Sequence, residues 1–180
     1  YSGNFGLTHN IEKILNAALF LENDSDIKFV IIGDGPKKKI VDDFEQEHNL
    51  SNLLVLPFQS EEILPYSLTA SDISIVLDSF SSNKGADSTA SIPSKVYYLM
   101  SAGTVIYAES DSTSELNRLI KVHDLGMCDS TQNVERFVEF IKLCQGDKNL
   151  LEKFKMNSRL ASSNYTKQNA NLLYEEIGDD

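Results

Sequence analysis

SIPSKVYYLMSAGTVIYAES, Ser91 to Ser110, compresses a polar loop end, an apolar helix and a β-rich strand into one short stretch. Pro-Ser-Lys stands where a helix begins and Ala-Gly where it ends, the usual asymmetry of proline near the start and glycine past the finish. TVIYAE then follows as a strand rich in β-branched and aromatic residues. The helix start is built to receive an anion. The Ser94 hydroxyl, the Lys95 ammonium and the first-turn N–H groups together supply the charge-assisted bonds that a diphosphate needs. The plainer alternative is Ser94 as a helix cap and Lys95 as a surface charge.

The same alternation extends both ways from this stretch. Upstream, SDISIVLD reads as a strand, and FSSNKGADSTAS after it is a polar loop of a length that is often functional. Earlier still, NLLVLPF is a strand, SEEILPYSLTA a short helix, IKFVIIG a buried parallel strand, and GDGPKKKIVDDFEQEHN a turn and helix running from Pro36 to Asn49. Asn10 to Leu21 carries Ile11, Ile14, Leu15, Ala18 and Leu19 at helical spacing. Downstream come a helix from SDSTSELNRLIKVHD, capped by Ser or Thr ahead of Glu115, and a brief strand LGMCD. An amphipathic helix follows from Asn133 to Cys144, then a helical tail from Asp147 to Ile177 with a break near Ser162 to Thr166. Regular alternation of this kind predicts an α/β fold: a doubly wound, Rossmann-like parallel sheet with helices on both faces and a C-terminal helical tail. Ligands of such sheets bind beyond the carboxyl ends of the strands. The candidate loops are therefore Ser2–Asn10, Pro57–Glu61 and Ser79–Ser94.

Bulk properties bound the function. A chain of 180 residues, 41% hydrophobic and 24% charged, is the size and composition of one soluble domain. The formal net charge of −11 excludes general affinity for nucleic acid, yet permits one local diphosphate site. No apolar run reaches the length of a membrane span, and a cytoplasmic location is the expectation. Cys128 and Cys144 form neither a metal pattern nor a disulfide framework and read as core thiols. The chain opens YSGNFG, without a methionine and with most of the strand that belongs before such a turn missing. This is the expectation for a piece of a larger protein.

The loops differ in what chemistry they can carry. In SGNFGLTHN, Gly3 and Gly6 flank Asn4 and Phe5 ahead of a helix, so a phosphate can approach the backbone; a purely structural G-x-x-G turn is the equal alternative. His9 lies at that helix end, able to donate to a phosphate or simply to cap; His48 and His123 have no partners at ligand spacing. GDGPKKK lacks the spacing and ending of a Walker loop, and its lysines read as a solvated run, although Gly33 and Gly35 allow close backbone approach. No nucleophile–base pair and no hydrolase elbow can be found. A catalytic role would consist of orienting a phosphorylated donor and stabilising its leaving group.

In order and spacing, GNFG, IIGDGP, NLLVLPF, LTASDISIVL, IPSKVYYLMSAGTVIYA and YTKQNANLLYEEI resemble the C-terminal, donor-binding half of two-domain (GT-B) glycosyltransferases of the retaining, family-four type. The resemblance covers nearly the whole chain, and its "PSK, helix, AG, strand" pattern looks like the subset active in surface polysaccharide and glycoconjugate synthesis. It implies that residues 1–180 form a nucleotide-sugar binding domain and that a missing N-terminal domain holds the acceptor. The implied donor is a nucleotide-diphosphate sugar, uridine-linked, and the implied reaction is hexosyl or N-acetylhexosaminyl transfer, with the isolated domain inactive. Gly3, Asn4, Phe5 and Gly6 match the donor-facing loop, with His9 and Gly33 beside it. Pro57 and Phe58 match the strand end that meets the base, and Ser94 and Lys95 the diphosphate-binding helix start. The resemblance implies no cofactor and no metal, and leaves any membrane contact to the absent half. One departure stands out. Members carry a glutamate for the ribose five residues before the glycine of the AG turn, and Tyr98 occupies that place; the companion acid eight residues earlier is replaced by Ala90. A phenol can bond a hydroxyl, without charge. Two alternatives follow: a non-catalytic nucleotide-binding module, or a nucleotide-sugar epimerase of the same fold.

Overall fold

The computed structural model describes residues 1–78 and 90–166. Most of the expected Ser79–Ser94 loop and most of YTKQNANLLYEEI lie outside those residues. The elements run α1 (Ile11–Phe20), β1 (Phe29–Ile32), α2 (Lys38–His48), β2 (Leu53–Leu56), α3 (Leu64–Thr69), β3 (Ile73–Leu77), α4 (Lys95–Ala102), β4 (Val105–Glu109), α5 (Glu115–His123), β5 (Gly126–Asp129), α6 (Val134–Gly146) and α7 (Lys148–Ser162). Pro36 does not open α2, as expected from its sequence position, but sits in the turn before Lys38.

Local chemistry sets these boundaries. Ser114, Asn133 and Asp147 each accept an N–H three residues on, capping α5, α6 and α7. α2 and α5 finish on Asn49 and Asp124 in the left-handed conformation, residue types that tolerate it. α4 finishes on Gly103 at φ 70°.

Among the described residues all strand pairing is parallel, in two hydrogen-bonded ladders, β1–β2 and β3–β4–β5. The doubly wound parallel arrangement is as expected, with its strands hydrogen-bonded in these two ladders. Tyr1–Gly3 runs beside β1, through the Ser2–Ile32 bridge, and is too short to extend the β1–β2 ladder by more than that bridge. A single core nevertheless spans both ladders. Phe29 and Ile31 of β1, Ile75 and Leu77 of β3, and Val105 and Tyr107 of β4 pack with α1, α6 and Phe154 of α7. The alternate residues Val76, Ile106 and Ala108 face a second core built by α4, α5 and Ala161. All five residues of β4 are buried, as a strand covered on both faces must be. The helices thus lie on both sides of the sheet, and the strand ends Ile32, Leu77, Glu109 and Asp129 bring their following loops to one edge.

Candidate functional site

The donor-facing loop of the sequence reading is knit to the end of β1 by its backbone. Gly3 N–H donates to the Ile32 carbonyl at 2.9 Å, Phe5 N–H to Asp34 at 2.8 Å, and Lys37 N–H to Phe5 at 3.0 Å. Glycine is required at this crossing. Gly33 has φ 146° and Gly35 φ 145°, and a Cβ at either position would overlap the Gly3 carbonyl or the Asn4 side chain. Gly33 is therefore buried support for the loop and not, as expected, a place where a ligand meets the backbone. Phe5 requires the same correction. Its side chain is fully buried in the core and its two backbone groups are spent on Asp34 and Lys37, so it anchors the loop, contributing roughly 2 kcal/mol by burial.

Asn4 and Gly6 remain as the ligand-facing candidates of this loop. Tyr1 Oη donates to the Asn4 carbonyl at 2.7 Å, and His9 Nδ1 lies 3.0 Å from the same oxygen and 3.2 Å from Tyr1 Oη. His9 thus folds back over the loop, its ring against Gly6. One lysine of GDGPKKK is not solvated as expected. Lys37 Nζ bonds the His9 carbonyl at 2.8 Å and the Glu12 carboxylate at 2.9 Å, tying this turn to the start of α1. Lys38 and Lys39 pair with Asp42 and Asp43 one turn on, which is a surface role.

The helix start from the opening stretch meets this loop. Lys95 Nζ lies 4.6 Å from the centre of the Tyr1 ring and 3.3 Å from where a Cβ on Gly3 would stand. Burial pushes its ammonium down to about pKa 8, and the charge of Asp78 at the end of β3 only partly opposes that shift. A poorly solvated ammonium held against a backbone loop is poised to gain from an anion. Ser94 is exposed, and its hydroxyl makes no cap bond to α4, so it is not spent on the helix. Val96 and Tyr97 N–H groups bond Pro93 and Ser94, leaving the amides of Ser94 and Lys95 at the tip.

The remaining predicted residues are spread around this centre. Pro57 and Phe58 follow β2 and are exposed, with Gln59 Nε2 donating to the Pro57 carbonyl at 2.8 Å. Tyr98 is one turn along α4 from Lys95 and 65% exposed, on a helix face open to solvent. Cys144 is buried as expected, Cys128 partly so, and burial raises both thiols, to about 11 and about 12. Among the described residues, no group of three or more His, Cys, Asp and Glu is placed to hold a metal ion. No described helix is long and apolar enough to cross a membrane.

With loop, lysine and helix tip at one sheet edge, the comparisons with known proteins become decisive. Residues 1–161 match the profile of the glycosyl transferases group 1 family. The chain belongs to that family. This is the glycosyltransferase reading rather than the epimerase one, and the domain is a C-terminal, GT-B type glycosyltransferase domain. A curated relative is WcaI of Escherichia coli (strain K12), assigned to colanic acid biosynthesis as a glycosyl transferase: 29% identity over 143 residues, covering 79% of this chain and 34% of that protein. Two solved structures share the fold. Anabaena HepE in complex with UDP and glucose superposes with TM-score 0.74 at 14% identity, over 99% of this chain and 47% of that one. The C-terminal domain of the group 1 glycosyl transferase LpcC from Francisella tularensis superposes with TM-score 0.69 at 16% identity, over 92% of this chain and 84% of that one. The chain spans about a third of the length of its curated relative.

The sequence reading missed one constellation entirely. Lys13 of α1, Glu109 at the end of β4 and Asp129 at the end of β5 form a buried ionic cluster. The available signal was a lysine placed between Ile11 and Ile14 on the apolar face of α1.

Proposed function

We propose that residues 1–180 bind the nucleotide-diphosphate sugar of a glycosyltransferase, and that a preceding domain of the same protein holds the acceptor. The uridine diphosphate group lies between the Gly3–His9 loop and the tip of α4. Lys95, the Ser94 hydroxyl and the two tip amides take the diphosphate, Asn4 and Gly6 face the donor, and Pro57 and Phe58 meet the base. The carrying observation is the approach of Lys95 Nζ to the Gly3 loop, two segments more than ninety positions apart in sequence (95 against 3). The work done here on transfer is electrostatic: the ammonium and the helix tip stabilise negative charge growing on the leaving diphosphate. The likeness to WcaI, a glycosyl transferase of colanic acid biosynthesis by its description, supports glycosyl transfer in polysaccharide synthesis; hexosyl or N-acetylhexosaminyl transfer on the cytoplasmic side is the form of it that the sequence resemblance implies. The HepE complex, which contains UDP, supports uridine as the base. The isolated domain binds and does not transfer.

Calorimetric titration with UDP, GDP, ADP and uridine tests this. UDP is expected to bind most tightly, and absence of binding by every one of them at millimolar concentration would sink the reading. One observation favours a second reading, a nucleotide-binding module without transfer: Tyr98 and Ala90 stand where the ribose acids of this family are expected, and both are exposed. Release of sugar from a UDP-sugar by the full-length protein separates the two, since a module binds UDP and turns nothing over.

A further inference from the structure

A second set of charged groups sits at the same edge of the sheet and has no part in the donor reading. Glu109 and Asp129 are register partners at the ends of β4 and β5, each 1% exposed, and Lys13 is 2% exposed between them. Lys13 Nζ lies 2.9 Å from Asp129 Oδ2 and 3.1 Å from Glu109 Oε2. Tyr107 Oη donates to Asp129 Oδ2 at 2.9 Å, and Thr131 gives its N–H and hydroxyl to Asp129 Oδ1. Asn10 Nδ2 donates to Glu109 Oε1 at 3.2 Å.

The two carboxylates respond differently to the same burial. Desolvation raises Glu109 despite Lys13 and Asn10, whereas for Asp129 the bonds from Lys13, Thr131 and Tyr107 outweigh burial and bring it down to about 2. Glu109 Oε2 faces the ammonium without an aligned hydrogen bond. A buried set of one cation and two anions gives little net stability over apolar groups of the same shape. Its bonds are directional, however, and they fix distances.

What they fix is the junction of the donor loop with α1. Asn10 precedes the helix, yet its side chain does not cap it and crosses to β4 instead. Lys13, in the first turn, crosses to β4 and β5. Both attachments fall directly behind the Gly3–His9 loop. Resting on the donor-site reading above, we propose that Asn10 and Lys13, gripped by Glu109 and Asp129, are positioning residues that set the separation between the Gly3–Gly6 backbone and the Lys95 end of α4.

The test uses the 180-residue chain. Variant Lys13→Met/Glu109→Gln/Asp129→Asn keeps the volumes and removes the charges; Asn10→Ala removes one attachment only. Thermal midpoint, UDP and uridine affinities, and the amide resonances of Gly3 and Gly6 before ligand is added are measured for each. The triple variant is expected to melt within a few degrees of wild type, to lose about ten-fold or more in UDP affinity, and to shift both glycine resonances. A folded triple variant with wild-type UDP affinity and unshifted glycines overturns the proposal, as does a lower midpoint with unchanged affinity of the folded fraction, which marks a purely structural role. Should the triple variant fail to fold, Asn10→Ala decides: about three-fold weaker UDP at an unchanged midpoint supports positioning, and no change refutes it. If wild type itself binds no UDP, the donor reading fails alone, and the glycine resonances still decide the clamp: shifted in the variants, it stands; unshifted, it falls.

Discussion

Lys13 and Lys95 both stand in the first turn of a helix at the carboxyl edge of the sheet, and their surroundings are opposite. Lys13 is saturated: two carboxylates and the Tyr107 ring enclose it. Lys95 is met by the Tyr1 ring and a glycine backbone, and its ammonium is held below its ordinary range. A buried lysine whose charge is already answered can fix structure, whereas a half-buried one whose charge is only partly answered can still be answered by a ligand. The pair sets a fully buried lysine held by two carboxylates beside a half-buried one at the proposed donor site.

The largest expected effect breaks the saturated member. Lys13→Met alone leaves two buried carboxylates with only the half-exposed Arg136, 3.7 Å from Asp129 Oδ1, beside them and is expected to cost about 3 to 5 kcal/mol in urea unfolding. Recovery of most of that loss on adding Glu109→Gln and Asp129→Asn would locate the cost in the orphaned charges. Next comes Gly33→Ala, which needs a left-handed conformation and pushes on the Gly3 carbonyl. About 2 to 3 kcal/mol is expected, with UDP affinity lost and the Lys13 cluster intact by its Tyr107 resonances.

Lys95→Met should behave in the reverse sense to Lys13→Met. It removes a burial penalty, so stability at pH 7 is unchanged or higher, while UDP weakens by about ten-fold and uridine does not; equal losses for both ligands would contradict the assigned role. Titration sharpens the same contrast. Lys95 has its folded value lowered from 10.5 to about 8, so between those values the unfolded chain holds a proton that the folded chain has shed. Its contribution to stability therefore rises with pH across that window, the burial penalty being fully present below 8. UDP affinity runs the other way and is expected to fall as pH climbs past 8, in wild type but not in Lys95→Met. The smallest effect belongs to Tyr98→Glu on exposed α4: less than about 0.5 kcal/mol on stability, with nucleoside affinity raised if the position reaches the ribose.

Much of this was legible in the sequence, for identifiable reasons. Period and punctuation located the helices and strands, since β4 had to be apolar throughout to be covered twice and α4 had to stop at Gly103. Ser94 and Lys95 could be proposed as an anion site because a serine and a lysine after a proline, at a helix start, combine donors in a run of adjacent residues. Lys13, Glu109 and Asp129 could not, because their meaning depends on the convergence of three elements spread over more than a hundred positions of sequence (13 to 129). Phe5 and Gly33 were placed on the ligand side because a loop sequence does not say which of its residues face inward. The packing of Gly33 beneath Gly3 supplied that information.

Gly103 closes α4 and also admits Arg159 of α7, whose side chain crosses it where any Cβ would collide. Beside it, the Ser158 hydroxyl bonds the Thr104 carbonyl at 2.8 Å. α4 is only eight residues, a rod of about 12 Å. Braced at its rear by α7, it cannot recoil along its axis when an anion pulls on its front. The AG turn that reads as punctuation is thus the backstop behind Lys95 in the proposed donor site.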